Sequence, residues 1–356
     1  MDRTETLFKE LTEASGVPGY ESEVREVIRK HVAGVARIEE DKLGSIIAVK
    51  NGTSASPKVM LAGHMDEVGF MVKLITEEGF IKFVPLGGWW EQVMLAHQVV
   101  IKTSKGDVVG ILGAKPPHLL PAEERKKMVE KKDMYIDIGA RSAAEVKEAG
   151  VRVGDPIVPI CPFTPLAGGK TYLAKAWDDR VGCALFIQAL WRLQDEQHPN
   201  TVYAVGTVQE EVGVRGATTS SWAVHPDVAI ILEVDIAGDV PGIKPEESAT
   251  KLGGGPSLLV FDARMIPNLK LRDLVITTAE ELEIPLQYAA VEGGATDGSV
   301  IHLHQTGVPT VVLGVPTRHI HSHAGILRRD DYDRCLHLLV ALIRKLDAET
   351  VAGLQP

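Results

Sequence analysis

The feature that most constrains this chain is a set of short, continuously apolar runs, each ending abruptly in histidine or carboxylate. VMLAG (59–63) gives way to His64, Asp66 and Glu67, and AVGTV (204–208) to Gln209, Glu210 and Glu211. VAIIL (228–232) ends on Glu233, with Asp235 two residues on; VVLG (311–314) leads into VPTRHIHSH, which carries His319, His321 and His323. Apolar runs of this length, bounded by glycine, read as strands buried on both faces. Helical periodicity lies around and between them: amphipathic near 4–14 and 21–34, apolar almost all round at 180–193, and again near 268–283 and 331–349. This alternation predicts an α/β fold, a mixed sheet sandwiched by helices. Ligands of open α/β sheets sit beyond the carboxyl ends of the strands, which is where these polar clusters fall.

Between 69 and 165 the texture changes. FMVKLI, FIKFVPL, QVVIKTS and DVVGILG are short, alternating segments separated by glycine turns, as in a compact all-β unit. The charged stretch PPHLLPAEERKKMVEKKD (116–133) reads as a solvated loop or helix, or as a loop that serves the site or a subunit contact. The expected organisation is one α/β domain built from 1–68 and 166–356, interrupted by a β domain at 69–165. No internal repeat or low-complexity segment is present.

Composition narrows the function classes. A net charge of −10 argues against a nucleic-acid partner, which would need a basic face. Cys161, Cys183 and Cys335 are odd in number and far apart, so neither a disulfide framework nor a zinc knuckle is expected. The first residues, MDRTETLFKELTEASG, lack the apolar core of a signal peptide, and no run of 18 apolar residues occurs. These features predict a cytoplasmic protein with no membrane partner.

A fifth polar cluster, Asp178 and Asp179 in AWDDRVG, stands just before the buried helix. Adjacent aspartates there are ordinary helix caps when seen alone. Five clusters of His, Asp and Glu at one end of a sheet are costly unless they are paired or hold metal. Histidines and carboxylates without a cysteine ligand suit zinc, cobalt or manganese. A two-metal hydrolytic site needs a shared carboxylate, one imidazole and one further carboxylate per ion, and a spare carboxylate as proton acceptor. The inventory allows His64 and His321 as imidazoles, Asp178 as bridge, Glu211 and Glu233 as terminal ligands, and Glu210 as general base. Asp66 is placed to orient His64 or to make a structural hydrogen bond.

Taken together, AGHMDEVGFMV, AWDDRVGCA, TVQEEVGVRGA, EGGATDGSVIH and TRHIHSHAGI resemble the glutamyl/tetrahedral aminopeptidase family of dinuclear metallopeptidases. The resemblance spans nearly the whole chain. It implies a metallopeptidase domain with an inserted PDZ-like β-barrel used for dimerisation. It further implies dodecamers built from dimers, hollow tetrahedra that trim short peptides from a free N-terminus. Carried over residue by residue, the family's ligands fall on His64, Asp178, Glu211, Glu233 and His321, and its base on Glu210. The position matched to Glu233 is often Asp in relatives, so Asp235 is the alternative there, as Asp179 is to Asp178. His319 and His323 flank His321 at two-residue spacing and would share a face of an extended segment, beside the metal or facing substrate. Asp297, in EGGATDGS, is a candidate contact for a substrate amine.

The expected activity is therefore metal-dependent removal of N-terminal residues, with two divalent ions per subunit: zinc, or else cobalt or manganese. Three rivals stand beside it. A metal-dependent deacylase would use the same site on N-acylated substrates. A glycoside hydrolase, in keeping with the endoglucanase label some relatives carry, needs two carboxylates and no transition metal; it would leave the histidines without a role, and aromatics are only 5% of the chain. A purely structural metal site would keep no spare base such as Glu210. The side-chain preference of the peptidase is not legible in these motifs.

Overall fold

The computed structural model describes residues 1–355. Its larger unit is built on a mixed sheet with four parallel strands at the centre, Thr201–Thr207, Lys58–His64, Val228–Ile236 and Thr310–Arg318. Ile46–Asn51 and then Arg37–Glu40 extend one side antiparallel. On the other side Gly325–Arg328, Thr171–Ala174 and Thr164–Pro165 continue from Thr310–Arg318. Ser257–Asp262 also pairs with Thr310–Arg318, antiparallel, and carries Gln287–Val291 on its far side.

Strand alternation divides the core in two. Val59, Leu61, Val228, Ile230, Leu232, Val311 and Leu313 face one way, against the helices Arg3–Glu13, Ser22–Val32, Trp177–Arg192, Leu269–Glu281 and Arg329–Lys345. Met60, Ala62, Ala229, Ile231 and Val312 face the other way, against the shorter helices Arg215–Val224 and Gly298–Ile301. Trp177–Arg192 buries almost every side chain beyond its first turn, so it packs as the centre of the larger layer. Truncating one of its leucines should cost about 2–5 kcal/mol. The second face has the thinner cover. His64 continues the Met60–Ala62 side of its strand, and Glu233 and Asp235 continue the Ala229–Ile231 side. All three emerge where that cover ends.

Gly69–Ile75, Ile81–Leu86, Tyr135–Asp137, Gly106–Gly113, Gln98–Thr103 and Pro156–Pro159 close, in that order, into an antiparallel barrel. Phe70, Val72, Ile81, Val99, Ile101, Leu112, Ile136 and Ile157 fill it. The charged stretch at 116–133 forms no α-helix. It is an exposed loop with three single 3-10 turns, Pro117–Leu119, Glu124–Lys126 and Lys131–Asp133. The helix expected near 331–349 ends at Lys345. Asp347 then caps a separate helix, Ala348–Gly353, by accepting from the Thr350 N–H, because a capping aspartate favours a new start over continuation. The three cysteines are free, and among the described residues no helix is long and apolar enough to cross a membrane.

Candidate metal centre

His64 is the last residue of Lys58–His64 and is 2% exposed. Its backbone N–H donates to Asp179 Oδ2 at 3.0 Å, and its Nδ1 meets the Asp66 carbonyl oxygen at 3.0 Å. That leaves Nε2 facing the cleft, 3.0 Å from Asp178 Oδ1, 3.7 Å from Glu233 Oε1 and 4.0 Å from Glu210 Oε2. Across the cleft, His321 Nε2 lies 3.4 Å from Asp178 Oδ2 and 4.0 Å from Glu211 Oε2. Asp178 thus presents one oxygen to each imidazole.

The two adjacent aspartates divide their work. Asp179 is fully buried, and both its oxygens are taken, one by His64 N–H and one by the Gly182 N–H at 3.0 Å. It ties the strand end to the start of the central helix. Ligand atoms of His64, Asp179 and Glu233 do lie within 4.8 Å of one another, as do those of His64, Asp178 and Glu211. The engaged oxygens of Asp179 make Asp178 the one with free acceptor capacity.

Asp66 is also fully buried. Its Oδ1 accepts from Glu210 N–H at 2.9 Å and its Oδ2 from Glu211 N–H at 3.0 Å. One carboxylate therefore fixes the backbone of both glutamates, while its Oδ1 lies 3.6 Å from His64 Nδ1. Glu67 belongs elsewhere. Its Oε1 is engaged by other partners, receiving Lys175 at 2.6 Å and Arg180 at 3.1 Å in a buried triad.

The histidine segment departs from the extended form expected of it. His319 and His321 have φ of 63° and 54°, so the chain turns at both and the three rings do not share a face. His319 is exposed. His323 is buried against the barrel, stacked on His97 at 3.7 Å and edge-on to Trp89. Burial, with His97 next to it, pushes the His323 ring down to about 3. Asp297 does not line the cleft either. It is buried behind the glutamates and accepts from the Thr207 hydroxyl at 2.5 Å; burial pushes its carboxyl up to about 6.

Two contributors lie outside the recognisable clusters. The turn after barrel strand Ile81–Leu86 brings Gly87 and Gly88 onto the site, where the Gly88 carbonyl lies 2.8 Å from His321 Nδ1. A Cβ on Gly88 would sit 3.1 Å from that nitrogen, and one on Gly87, at φ +84°, 2.8 Å from Glu211 Oε2. Glycine is what lets the backbone approach this closely. Glu21, buried, accepts from the Gly19 N–H at 2.8 Å and the Gln209 N–H at 3.0 Å, which braces the loop that carries Glu210. The Gly-Gly pair was the only visible signal for the first, and nothing local marked the second.

The electrostatics are those of a site short of positive charge. Burial pushes Glu210, Glu211 and Glu233 well above the usual carboxylate range, and neighbouring carboxylates add to it. Burial opposes a charged His64, yet Asp178, Asp66, Glu233 and Glu210 together hold its ring well above the ordinary value. Among the described residues no lysine or arginine lines the cleft. Mutually repelling buried carboxylates beside two imidazoles are a donor set that a divalent cation pair fits, and one that is unfavourable without it.

The chain is similar over nearly its whole length to known aminopeptidases. The model of the M42 glutamyl aminopeptidase family matches residues 44–338. A TET aminopeptidase from the marine sediment archaeon Thaumarchaeota archaeon SCGC AB-539-E09 superposes with a TM-score of 0.98 at 50% identity, covering 99% of each chain. The lysyl aminopeptidase of Pyrococcus furiosus is 35% identical over 348 residues, 96% of each chain. The Pyrococcus horikoshii TET1 peptidase, which can assemble into a tetrahedron or a large octahedral shell, superposes with a TM-score of 0.87 at 31% identity, covering 96% of this chain and 100% of its own. From the sheet, the barrel and these likenesses together, the chain belongs to the M42 glutamyl aminopeptidase family.

Proposed function

We propose that this aminopeptidase removes residues from the free N-terminus of short peptides with a pair of divalent ions held between its two histidines. The observation that carries the reading is Asp178, whose two oxygens face His64 at 3.0 Å and His321 at 3.4 Å. In this reading His64 and Glu233 would hold one ion and His321 and Glu211 the other, with Asp178 available to both. Bound there, such a pair supplies Lewis acidity, which acidifies water and polarises a carbonyl; zinc, cobalt and manganese all suit the donors.

The protein's own residues do the rest. Glu210 borders the cleft 4.0 Å from His64 and is left outside the ligand set. Its environment raises its proton affinity, which suits a group that takes a proton from water and returns it to the leaving amine. Asp66 acts through the backbone, holding Glu210 and Glu211 in register with one carboxylate. The carbonyl of Gly88 orients His321 and fixes which of its ring nitrogens faces the site. A free α-amine is a cation, and it would be held by the acidic rim; an internal peptide bond offers no such charge. The motif resemblance implies that the barrel serves dimerisation, and the dodecamer and tetrahedral shell of the Pyrococcus horikoshii TET1 peptidase support assembly of this chain into a closed shell.

Replacing Glu210 by glutamine tests the base. Metal content per chain, measured by elemental analysis, should stay unchanged while kcat falls by a factor of about 100 to 10,000. A fully loaded Glu210→Gln enzyme with undiminished turnover would rule the assignment out.

A further inference from the structure

The cleft that opens from the histidine–carboxylate cluster has a volume of about 960 Å³, far more than a ligand cluster needs. Eight carboxylates line it, without a lysine or arginine among them. Asp178, Glu210 and Glu233 are accounted for by the chemistry above; Asp235, Glu246, Glu247, Asp262 and Glu292 are not. Glu246 and Glu247 lie on an exposed rim, one 3.8 Å from Lys244 and the other bonded to its backbone N–H, so they contribute little.

Asp262 and Asp235 differ from these. Asp262 is 1% exposed, and its partners, the Arg264 backbone N–H at 2.7 Å and the Thr296 hydroxyl at 3.3 Å, are both neutral. Asp235 is 7% exposed; its Oδ1 accepts from the Ile236 N–H at 2.8 Å, and its Oδ2 has only the neutral hydroxyls of Thr250 and Ser257 beside it, outside good hydrogen-bond geometry. Buried carboxylates are normally matched by a cation, and neither of these has a lysine or arginine as its partner. Beside these carboxylates the lining includes the apolar side chains of Ile236, Leu259, Val312 and Ile320, with serine and threonine hydroxyls among them. A guest suited to such a space has an apolar stem and a cationic tip.

We propose that this cleft receives the side chain of the substrate's N-terminal residue and selects lysine or arginine, with Asp262 at its buried end and Asp235 nearer the histidines. The inference rests on the aminopeptidase reading and adds its substrate class. It runs against the glutamyl preference in the family's description, because beyond the ion pair an acidic side chain would enter a space lined by carboxylates with no lysine or arginine to meet it.

The test compares kcat/KM for the lysyl, arginyl, leucyl and glutamyl p-nitroanilides on the metal-restored enzyme. Lysine and arginine should lead leucine by about tenfold or more, with glutamate last. Asp262→Asn should lower kcat/KM for the two basic substrates about tenfold or more, mainly through KM, while leucine changes less than about threefold. Asp262→Glu should keep the basic preference. A second measurement needs no variant: free L-lysine should inhibit leucyl p-nitroanilide hydrolysis about tenfold more strongly than L-norleucine, which has a similar stem without the charge. Release of leucine or glutamate in preference to lysine overturns the selectivity and leaves the aminopeptidase reading standing, as does an Asp262→Asn variant that loses all four substrates equally. Release of none of the four overturns both.

Discussion

Glu67 to glutamine and Lys175 to methionine should have very different costs, although they break the same ion pair. Glu67 Oε1 receives Lys175 Nζ at 2.6 Å and Arg180 Nη2 at 3.1 Å, and none of the three side chains exceeds 6% exposure. At an effective dielectric of 20 each contact carries roughly 5–6 kcal/mol of raw attraction, much of it offset by removing three ions from water. The two cations also donate to carbonyls at and just beyond the end of helix Arg3–Glu13: Lys175 to Ala14 at 3.0 Å, and Arg180 to Leu11 at 2.6 Å and Gly16 at 3.2 Å. Removing the anion strands two adjacent buried cations, which should cost about 3–5 kcal/mol. Removing Lys175 leaves Glu67 paired with Arg180 and deletes the charge that burial and Arg180 already disfavour, so its cost should stay below about 2 kcal/mol, mostly the lost bond to Ala14. The double variant should recover part of the Glu67→Gln loss. Urea midpoints at one fixed protein concentration would measure this, because assembly couples to stability. A Lys175→Met variant as unstable as Glu67→Gln would show that Glu67 is not compensating an excess of buried positive charge.

Other expectations follow from single contacts. Burial and the charge of Asp66 push the Glu21 carboxyl up to about 7 from an ordinary 4.5, so the folded state holds its proton more tightly than the unfolded chain does. Its contribution is full below about 4.5 and is lost as pH rises through about 7, a loss of about 3 kcal/mol at most. Glu21→Gln, which stays neutral, should therefore gain on the wild type at pH 8 and match it near pH 4.5; parallel stability-versus-pH curves would contradict this. Asp178→Asn should abolish stoichiometric metal uptake with little change in the metal-free melting temperature. Asp179→Asn should instead lower that temperature, because its amide nitrogen would face the N–H of His64 or Gly182, a loss of about 1–3 kcal/mol that calorimetry would register. Asp66→Asn places an amide nitrogen against the N–H of Glu210 or Glu211; kcat should fall at least about tenfold, and unchanged kinetics would argue against its positioning role.

Much of this molecule was legible in its sequence because hydrophobic continuity reports burial. The four parallel central strands, the all-round apolar helix and the β texture between them each carry a local signature, and the residues just past those strands came together as their position implied. What stayed hidden depends on contacts distant in sequence. Glu67 sits beside Asp66 but points to Lys175, 108 residues away. The turns at His319 and His321 sent His323 to the barrel seam, where the sequence pattern implied a shared face. Gly88 reaches His321 across 233 residues, and Asp262 acquires meaning only from the neutral partners around it. The short helices Arg215–Val224 and Gly298–Ile301, which set how far the second face is covered, are too brief to carry a clear period.

The most direct test of the account is to strip the protein with a chelator, restore zinc, cobalt or manganese, and assay free-amine aminoacyl p-nitroanilides beside their N-acetylated counterparts. Activity should be absent without metal, recover as two ions bind per chain, and release residues only from substrates with a free amine. Undiminished release from the stripped protein, or preferential cleavage of the N-acetylated substrates, would contradict the metal-dependent aminopeptidase reading.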